Sequence, residues 1–344
     1  MAVTERAELD FANLPFVYWK TDANLRYTWR DGKWDNGVES ASETVPIHIA
    51  ATGLHYGQAL FEGLKVYEAK DGRVLSFRVE ENAKRMQHSA KLLSMQAPPV
   101  DLFVSAVERV VKANKRFIPP YGSGATLYVR PLLVGSGARI GVAPAEEYLF
   151  LILVTPVGPY FKRGFSATKL VIEEEIDRAA PLGVGTAKAG GNYAAGMRAT
   201  VKAQSAGYGE ALYLDSREHK CIDEAGTANF FGITKDKTYV TPSSPSILKS
   251  ITNMSLRTLA ADMGYQVEQR PVPIAELGDF VETGACGTAA VLTPVESITY
   301  HGKETVYLQD GKPGPHCTAL YEALTGIQFG ERPDPYGWTK EIEV

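Results

Sequence analysis

Lys188 sits in the nonapeptide Gly185-Thr-Ala-Lys-Ala-Gly-Gly-Asn-Tyr193, where almost every neighbour is small. Small neighbours let backbone or a flat ligand approach closely. A lysine amine held in such a place can give up its proton and attack a carbonyl, forming a Schiff base. The same stretch also reads as a loop lysine ahead of a helix, with Gly190 and Gly191 serving the turn. Other features bear on that choice. Glu224 lies in Ile222-Asp-Glu-Ala-Gly-Thr-Ala-Asn229, read as a turn of small residues in which a carboxylate is ordinarily solvated. Arg85 flanks the apolar stripe of a helix, again a solvated place by default. Tyr128 and Arg130 share one face of a strand. There the arginine is either a surface cation or a two-pronged grip on a carboxylate. Two further stretches, Ser250-Ile-Thr252 and Gly284-Ala-Cys-Gly-Thr-Ala-Ala-Val291, could turn backbone N–H groups toward an anion, or be plain caps and turns.

Those residues need elements to position them. Residues 16–45 read as short strands and turns. Leu54–Tyr67 reads as a helical turn running into a strand, with Tyr56 and Phe61 as core. Ala83, Met86, Ala90 and Leu93 recur at helical spacing within 80–95. A second helix follows Pro98 and Pro99, with Asp101 as its expected N-cap. Residues 125–134 read as a strand that Pro131 puts at an edge or brings to an end. Residues 135–142 are glycine-rich but match neither the dinucleotide fingerprint nor the P-loop, so they read as a loop. The apolar run 147–155 reads as a strand buried on both faces. The prolines and glycines of 156–165 then mark a domain boundary. Beyond it the expectation is a strand at 169–176, a helix at 193–206 stopped by Gly207, strands at 211–215 and 229–234, and a helix over 250–264 capped by Thr252. The fold class is therefore α/β (α+β), with a smaller first domain (1–155), a connecting loop (156–165) and a larger second domain (166–344).

Composition narrows the function. The chain has 344 residues and a formal net charge of -4, which speaks against a nucleic-acid binder. Cys221, Cys286 and Cys317 form no CxxC pair, as expected of buried thiols in a reducing compartment. The N-terminus lacks an apolar run of the signal-peptide kind, and no stretch is apolar for long enough to span a bilayer. No metal site is expected.

Taken together, a lysine among glycines, a carboxylate among small residues, an arginine and two N–H-rich turns are what pyridoxal phosphate requires. Its aldehyde needs the amine, its phosphate needs cations and backbone donors, and its ring nitrogen needs a carboxylate. The chain moreover resembles the fold-type IV pyridoxal-phosphate enzymes, and among them the branched-chain amino-acid aminotransferases. The resemblance rests on LHYGQALFEGLK (54–65), Arg85 of AKRM, YVRPL (128–132), GSGARIGV (135–142), KAGGNY (188–193), DEAGTANFF (223–231), SIT (250–252), GTAAVLTPV (287–295), and TGIQFG with PDPYGWT near the end. These stretches follow the family's order over roughly residues 50 to 340.

The resemblance implies a role for each matching residue. Lys188 is the catalytic lysine that holds the cofactor. Glu224 pairs with the ring nitrogen, and Tyr193 hydrogen-bonds the phenolic oxygen. Arg85 and the N–H groups of Ile251, Thr252 and Thr288 hold the phosphate. Tyr128 and Arg130 lie near the substrate carboxylate, helped by backbone around Thr288 and Ala289. Phe61, Tyr160, Tyr193 and Ala289 line the side-chain pocket. Tyr56, Ile140 and Val142 enter from a partner subunit, so a homodimer or larger assembly is implied. Lys65 stands where relatives carry lysine or arginine. Val157 replaces a tryptophan of some relatives, which leaves the pocket's width open. The implied reaction is a reversible ping-pong exchange of an amino group between leucine, isoleucine or valine and 2-oxoglutarate, in the cytoplasm. Four rivals are carried. D-amino-acid aminotransferase and 4-amino-4-deoxychorismate lyase share the fold but fit the YVRPL, GTAAVLTPV and terminal stretches less well. A non-catalytic small-molecule binder would have lost Lys188 or the phosphate cup. A nucleotide-dependent dehydrogenase lacks its glycine fingerprint.

Overall fold

A computed structural model describes residues 3, 5–161 and 164–344. Contacts divide the chain into two compact units, Met1–Tyr160 with Ala187–Gly191 and Gly326–Val344, and Phe161–Thr186 with Asn192–Thr325. A linear division cannot express the first unit. Ala189 bridges to Leu60, and a late strand pairs back near the start, so both segments count with it. The expected connecting loop 156–165 includes Lys162 and Arg163, which lie outside the described residues.

The first unit is built on a nine-stranded sheet. In chain order its elements are β1 (Asn24–Arg30), β2 (Lys33–Trp34), β3 (Val38–Ser40), helix α1 (Thr52–His55), β4 (Ala59–Phe61), β5 (Leu64–Glu68), β6 (Val74–Phe77), α2 (Val79–Leu92), α3 (Val100–Ala113), β7 (Thr126–Gly135) and β8 (Tyr148–Val157). Helix α2 buries Ala83, Met86 and Ala90, the stripe read from the sequence. Helix α3 begins earlier than expected: Pro99 occupies the N-cap and Asp101 lies in the first turn, where its charge suits the helix dipole.

Strand β7 neither lies at an edge nor ends at Pro131. It pairs with β8 over its full length and with both β4 and β5 on the other side. Pro131 is tolerated because the break between β4 and β5 falls opposite it, at Glu62 and Gly63, so no ladder partner asks for its missing N–H. The Pro131 carbonyl still accepts from Glu62 N at 2.8 Å. In β8, Tyr148, Phe150 and Ile152 are fully buried while Leu149, Leu151 and Leu153 are half-buried, so only one face of its first half is sealed.

The second unit carries a ten-stranded sheet. Its elements are β9 (Thr168–Glu173), α4 (Gly190–Ser205), β10 (Glu210–Leu214), β11 (Cys221–Ala225), β12 (Ala228–Thr234), β13 (Thr238–Pro242), α5 (Ile251–Asp262), β14 (Gln266–Arg270), β15 (Val272–Pro273), β16 (Phe280–Gly287), β17 (Val291–Tyr300), β18 (Lys303–Val306) and α6 (Pro315–Gln328). The final strand, β19 (Thr339–Glu341), pairs with β6 in the first sheet. A core of Leu170, Leu212, Phe230, Val295 and Ile298 packs on the second sheet.

Three readings of this half change. Cys221–Ala225 is a strand, not a turn, because it pairs with β10 on one side and β12 on the other. The reversal is confined to Gly226 and Thr227. Gly284–Gly287 is likewise strand, paired to β12 and β17, and the turn shrinks to Thr288–Ala290. The strand expected over 169–176 ends at Glu173.

Candidate active site

In the first unit, Lys188 is held by its backbone. Its N–H donates to Ser89 Oγ at 2.9 Å, and its carbonyl accepts from Phe61 N at 3.1 Å. Ala187 and Ala189 on either side are buried, so the lysine leaves a packed segment rather than a free loop. Gly190 and Gly191 open α4 with no left-handed backbone, and a side chain at Gly191 would meet open space. They do not serve a turn.

The Lys188 Nζ stands 4.7 Å from the centre of the Phe61 ring, and the Arg130 guanidinium stands 4.9 Å from the same ring. Both are cation–π distances. Arg130 also donates to Tyr128 Oη at 3.1 Å, so the strand alternation brings these two together as expected. Tyr128 is buried and Arg130 half-buried, so the arginine is not the surface cation the sequence also allowed, and its Nε is buried with no hydrogen-bond partner. Gly63 is required here, since a Cβ on it would lie 2.0 Å from Tyr128 Oη. Phe16, from the segment read as short strands and turns, packs edge-on against Tyr128 at 5.1 Å. Lys65 is the cross-strand neighbour of Tyr128, and burial pulls its ammonium down to about 8.

Arg85 is not solvated. Its Nε and Nη2 donate to the two carboxylate oxygens of Glu62 at 2.8 and 2.7 Å, a bidentate pair with a fully buried partner. The sequence offered no sign of this partner, because Glu62 lies in the break between two strands.

Tyr56 is exposed, and its hydroxyl donates to the Ile140 carbonyl. Ile140 and Val142 are 70% and 86% exposed on the loop after β7, so the three form an uncovered apolar group. Tyr160 is also exposed. A cleft of about 800 Å³ in this unit, lined by Arg26, Arg30, Lys33 and His48 among others, includes none of the residues expected to do chemistry.

In the second unit, Glu224 is 3% exposed on β11, far from the solvated turn carboxylate the sequence suggested. One oxygen lies 2.8 Å from Arg178 Nε and accepts from Leu248 N at 3.2 Å. The other accepts from Asn229 Nδ2 at 3.0 Å. The Arg178 approach is ionic rather than an aligned hydrogen bond. Arg178 is fixed from behind by the carbonyls of Gly185 and Ser246. Gly185 must be glycine, because a Cβ would come 2.3 Å from the Ser246 carbonyl.

A chain of buried polar groups continues the support. Asn253 donates to Asn229 Oδ1 at 3.3 Å and to Thr241 Oγ1 at 2.9 Å, and Tyr239 donates to Asn253 Oδ1 at 2.8 Å. Burial pushes the Glu224 carboxyl above the usual carboxylate range, while Arg178 and the two N–H donors pull toward the ionised form. Arg178, Asn229 and Asn253 had no role from sequence. For Asn229 and Asn253 the signal would have been a polar residue in a stretch otherwise built for burial; Arg178 lies in a charged, exposed stretch that gave none.

Helix α5 starts one residue before the expected cap. Ser250, not Thr252, is the N-cap, and its Oγ accepts from Asn253 N at 3.2 Å. The N–H groups of Ile251 and Thr252 therefore lie in the first turn, where an α-helix provides no partner of its own. Tyr193, Thr288 and Ala289 are half-buried. Among the described residues no cluster could hold a metal ion, and no helix is long and apolar enough to cross a membrane.

Residues 59–298 match the family described as Amino-transferase class IV. The chain is 48% identical over 342 residues to a branched-chain-amino-acid aminotransferase of Haemophilus influenzae, covering 98% of this chain and 99% of that one. It is 45% identical over 336 residues to one of Helicobacter pylori, covering 97% and 98%. Its fold superposes on the Escherichia coli branched-chain amino acid aminotransferase with a TM-score of 0.76 at 27% identity, covering 94% of this chain and 100% of that one. The branched-chain amino acid aminotransferase of T.th., solved in complex with N-(5'-phosphopyridoxyl)-L-glutamate, gives the same score, identity and coverage.

Proposed function

The chain belongs to the class IV aminotransferases, and from that premise we propose that it exchanges an amino group between L-leucine, L-isoleucine or L-valine and 2-oxoglutarate. Pyridoxal 5'-phosphate is its cofactor. When bound, that group supplies an aldehyde that joins amines covalently and a ring that takes up the electron pair left by a broken C–H bond. The residues present suit it. Lys188 offers an amine in a packed, aromatic setting, and Glu224 offers a carboxylate kept beside a cation despite burial. The capped start of α5 offers N–H donors to a phosphate.

The chain's own groups then take these parts. Lys188 Nζ would hold the cofactor, and the same amine, when free, would be placed to take the proton from the substrate Cα. Glu224, drawn toward its ionised form by Arg178, would serve the cofactor's ring nitrogen. Arg85 with the N–H groups of Ile251, Thr252 and Thr288 holds the phosphate, and Tyr193 orients the ring oxygen. Tyr128 and Arg130 receive the substrate carboxylate. Phe61, Tyr160 and Ala289 contact the side chain, and discrimination among the three branched chains is modest, about 1–3 kcal/mol per methylene. Because one site serves two substrates in turn, the kinetics are ping-pong. We assign the enzyme to the cytoplasm as a homodimer whose Tyr56, Ile140 and Val142 complete the partner's site.

What carries this reading is the near-complete overlap, at 48% identity, with a branched-chain enzyme. The deciding experiment compares amino donors. L-leucine with 2-oxoglutarate should turn over, D-alanine should not, and Lys188→Ala should abolish turnover together with the visible band of the bound cofactor. Turnover of D-alanine alone would hand the reading to the D-amino-acid enzymes of the same fold.

A further inference from the structure

Among the described residues of the first unit, Glu62 is the most completely buried carboxylate, with no exposed surface. A carboxylate with no exposed surface must find its hydrogen bonds inside the protein, and this one does. Arg85 donates to Oε1 through Nε at 2.8 Å and to Oε2 through Nη2 at 2.7 Å. Asn82 Nδ2 donates to Oε2 at 2.8 Å, and Gly63 N donates to it at 3.3 Å. Asn82 itself is 2% exposed and is also held by the Gly63 carbonyl at 3.3 Å. The carboxylate's own backbone is pinned by the bond from its N–H to the Pro131 carbonyl.

The partners come from one helix face. Asn82, Arg85 and Ser89 recur at spacings of three and four along α2, so they point the same way. The first two grip Glu62. The third accepts the backbone N–H of Lys188, whose carbonyl in turn receives the N–H of Phe61, the residue before Glu62. One three-residue segment, Phe61–Gly63, is thus tied both to the arginine and to the lysine segment. The grip occupies the Nε–Nη2 edge of the guanidinium and thereby fixes the direction in which its Nη1 end points. A flexible arginine would have to order itself on each binding event, and this one is ordered beforehand.

We infer that Glu62 is a positioning residue that orients Arg85 for the cofactor's phosphate. The inference rests on the reading that Arg85 holds that phosphate. Glu62 itself touches neither substrate nor the reacting atoms. Its effect belongs to the phosphate alone, which separates it from a general role in folding.

The test measures binding by the apo-enzyme, not turnover. Pyridoxal 5'-phosphate and pyridoxal, which lacks the phosphate, are titrated separately, and the ratio of their affinities is compared among variants. Glu62→Gln should weaken the phosphorylated form on the order of 10- to 100-fold, as expected for a charge-assisted bidentate contact, and leave pyridoxal nearly unchanged. Arg85→Gln should lower the same ratio at least as far. The double variant should fall no further than Arg85→Gln, because the two act as one unit. Equal weakening of both ligands by Glu62→Gln would mark a merely structural carboxylate and overturn the inference. An unchanged ratio in Arg85→Gln would instead strike the reading of Arg85 itself. Should Glu62→Gln not fold, Asn82→Ala loosens the same carboxylate more gently. A smaller drop in the ratio supports the inference, and an unchanged ratio sinks it.

Discussion

Two buried charges set the residue-scale chemistry, and each exacts a different pH dependence. Lys65 has its ammonium pulled from 10.5 to about 8 by burial. In the unfolded chain it binds a proton up to about pH 10.4, so between the two values the unfolded state carries the extra proton and stability rises with pH. The penalty is complete below about 8 and gone above about 10.5. Lys65→Met should therefore stabilise the protein at pH 7 by up to about 3 kcal/mol, and the gain should vanish at alkaline pH. Denaturant unfolding of both proteins across that range checks it, and a variant no more stable at neutral pH would refute it. Glu224 runs the other way, since burial raises it and Arg178 is the cation that offsets this. Arg178→Met should let the carboxyl take up a proton at higher pH. The acid limb of the kcat–pH profile should then move upward, with a loss of at least tenfold near neutrality. A profile that only scales down without moving would mean Arg178 does not tune that charge.

At the scale of elements, the sequence was most legible where one face is apolar and the other is not. Helix α2 shows its stripe at Ala83, Met86 and Ala90, and β7 shows Tyr128 and Arg130 on one side. It was least legible where polar residues are buried, because local pattern treats Asp and Glu as solvent-seeking. Residues 222–225 are buried throughout, so β11 has no alternation to read, and Asp223 with Glu224 imitates a turn. Arg178 and Leu248, both distant in sequence, help make that burial tolerable. Glu62 escaped for the same reason, its partners lying on a helix that the local stretch cannot foresee. Pro131 misled because the gap that accommodates it belongs to two other strands. Lys188 was legible by composition, but its support by Ser89 and Phe61 was not. The cap of α5 was misplaced by two residues, and the difference is measurable. Ser250→Ala should cost about 1 kcal/mol of stability, and should also weaken phosphate binding at the helix start. A thermal midpoint indistinguishable from the parent would argue against Ser250 as the cap.

At the scale of the whole molecule, Tyr56, Ile140 and Val142 pose a problem that one chain does not solve. Ile140 and Val142 are among its most exposed apolar side chains, and Tyr56 is fixed to the Ile140 carbonyl, which holds the group in one arrangement instead of leaving it to collapse. Apolar groups presented in this way ordinarily meet a partner. A symmetric pair would give each subunit's group to the other's site, and would make every site depend on both chains. Two inactive variants can then rescue each other. Lys188→Ala lacks the amine but keeps an intact Tyr56–Val142 group. Val142→Asp keeps the amine but spoils what it contributes to its neighbour. In the mixed dimer, the site that retains Lys188 receives an intact group from the Lys188→Ala subunit and works. Random exchange of equal amounts makes half of the dimers mixed, each with one good site, so about a quarter of the parent activity should return. If subunits demonstrably exchange and no activity appears, Tyr56, Ile140 and Val142 act within their own chain and the homodimer is not the catalytic unit.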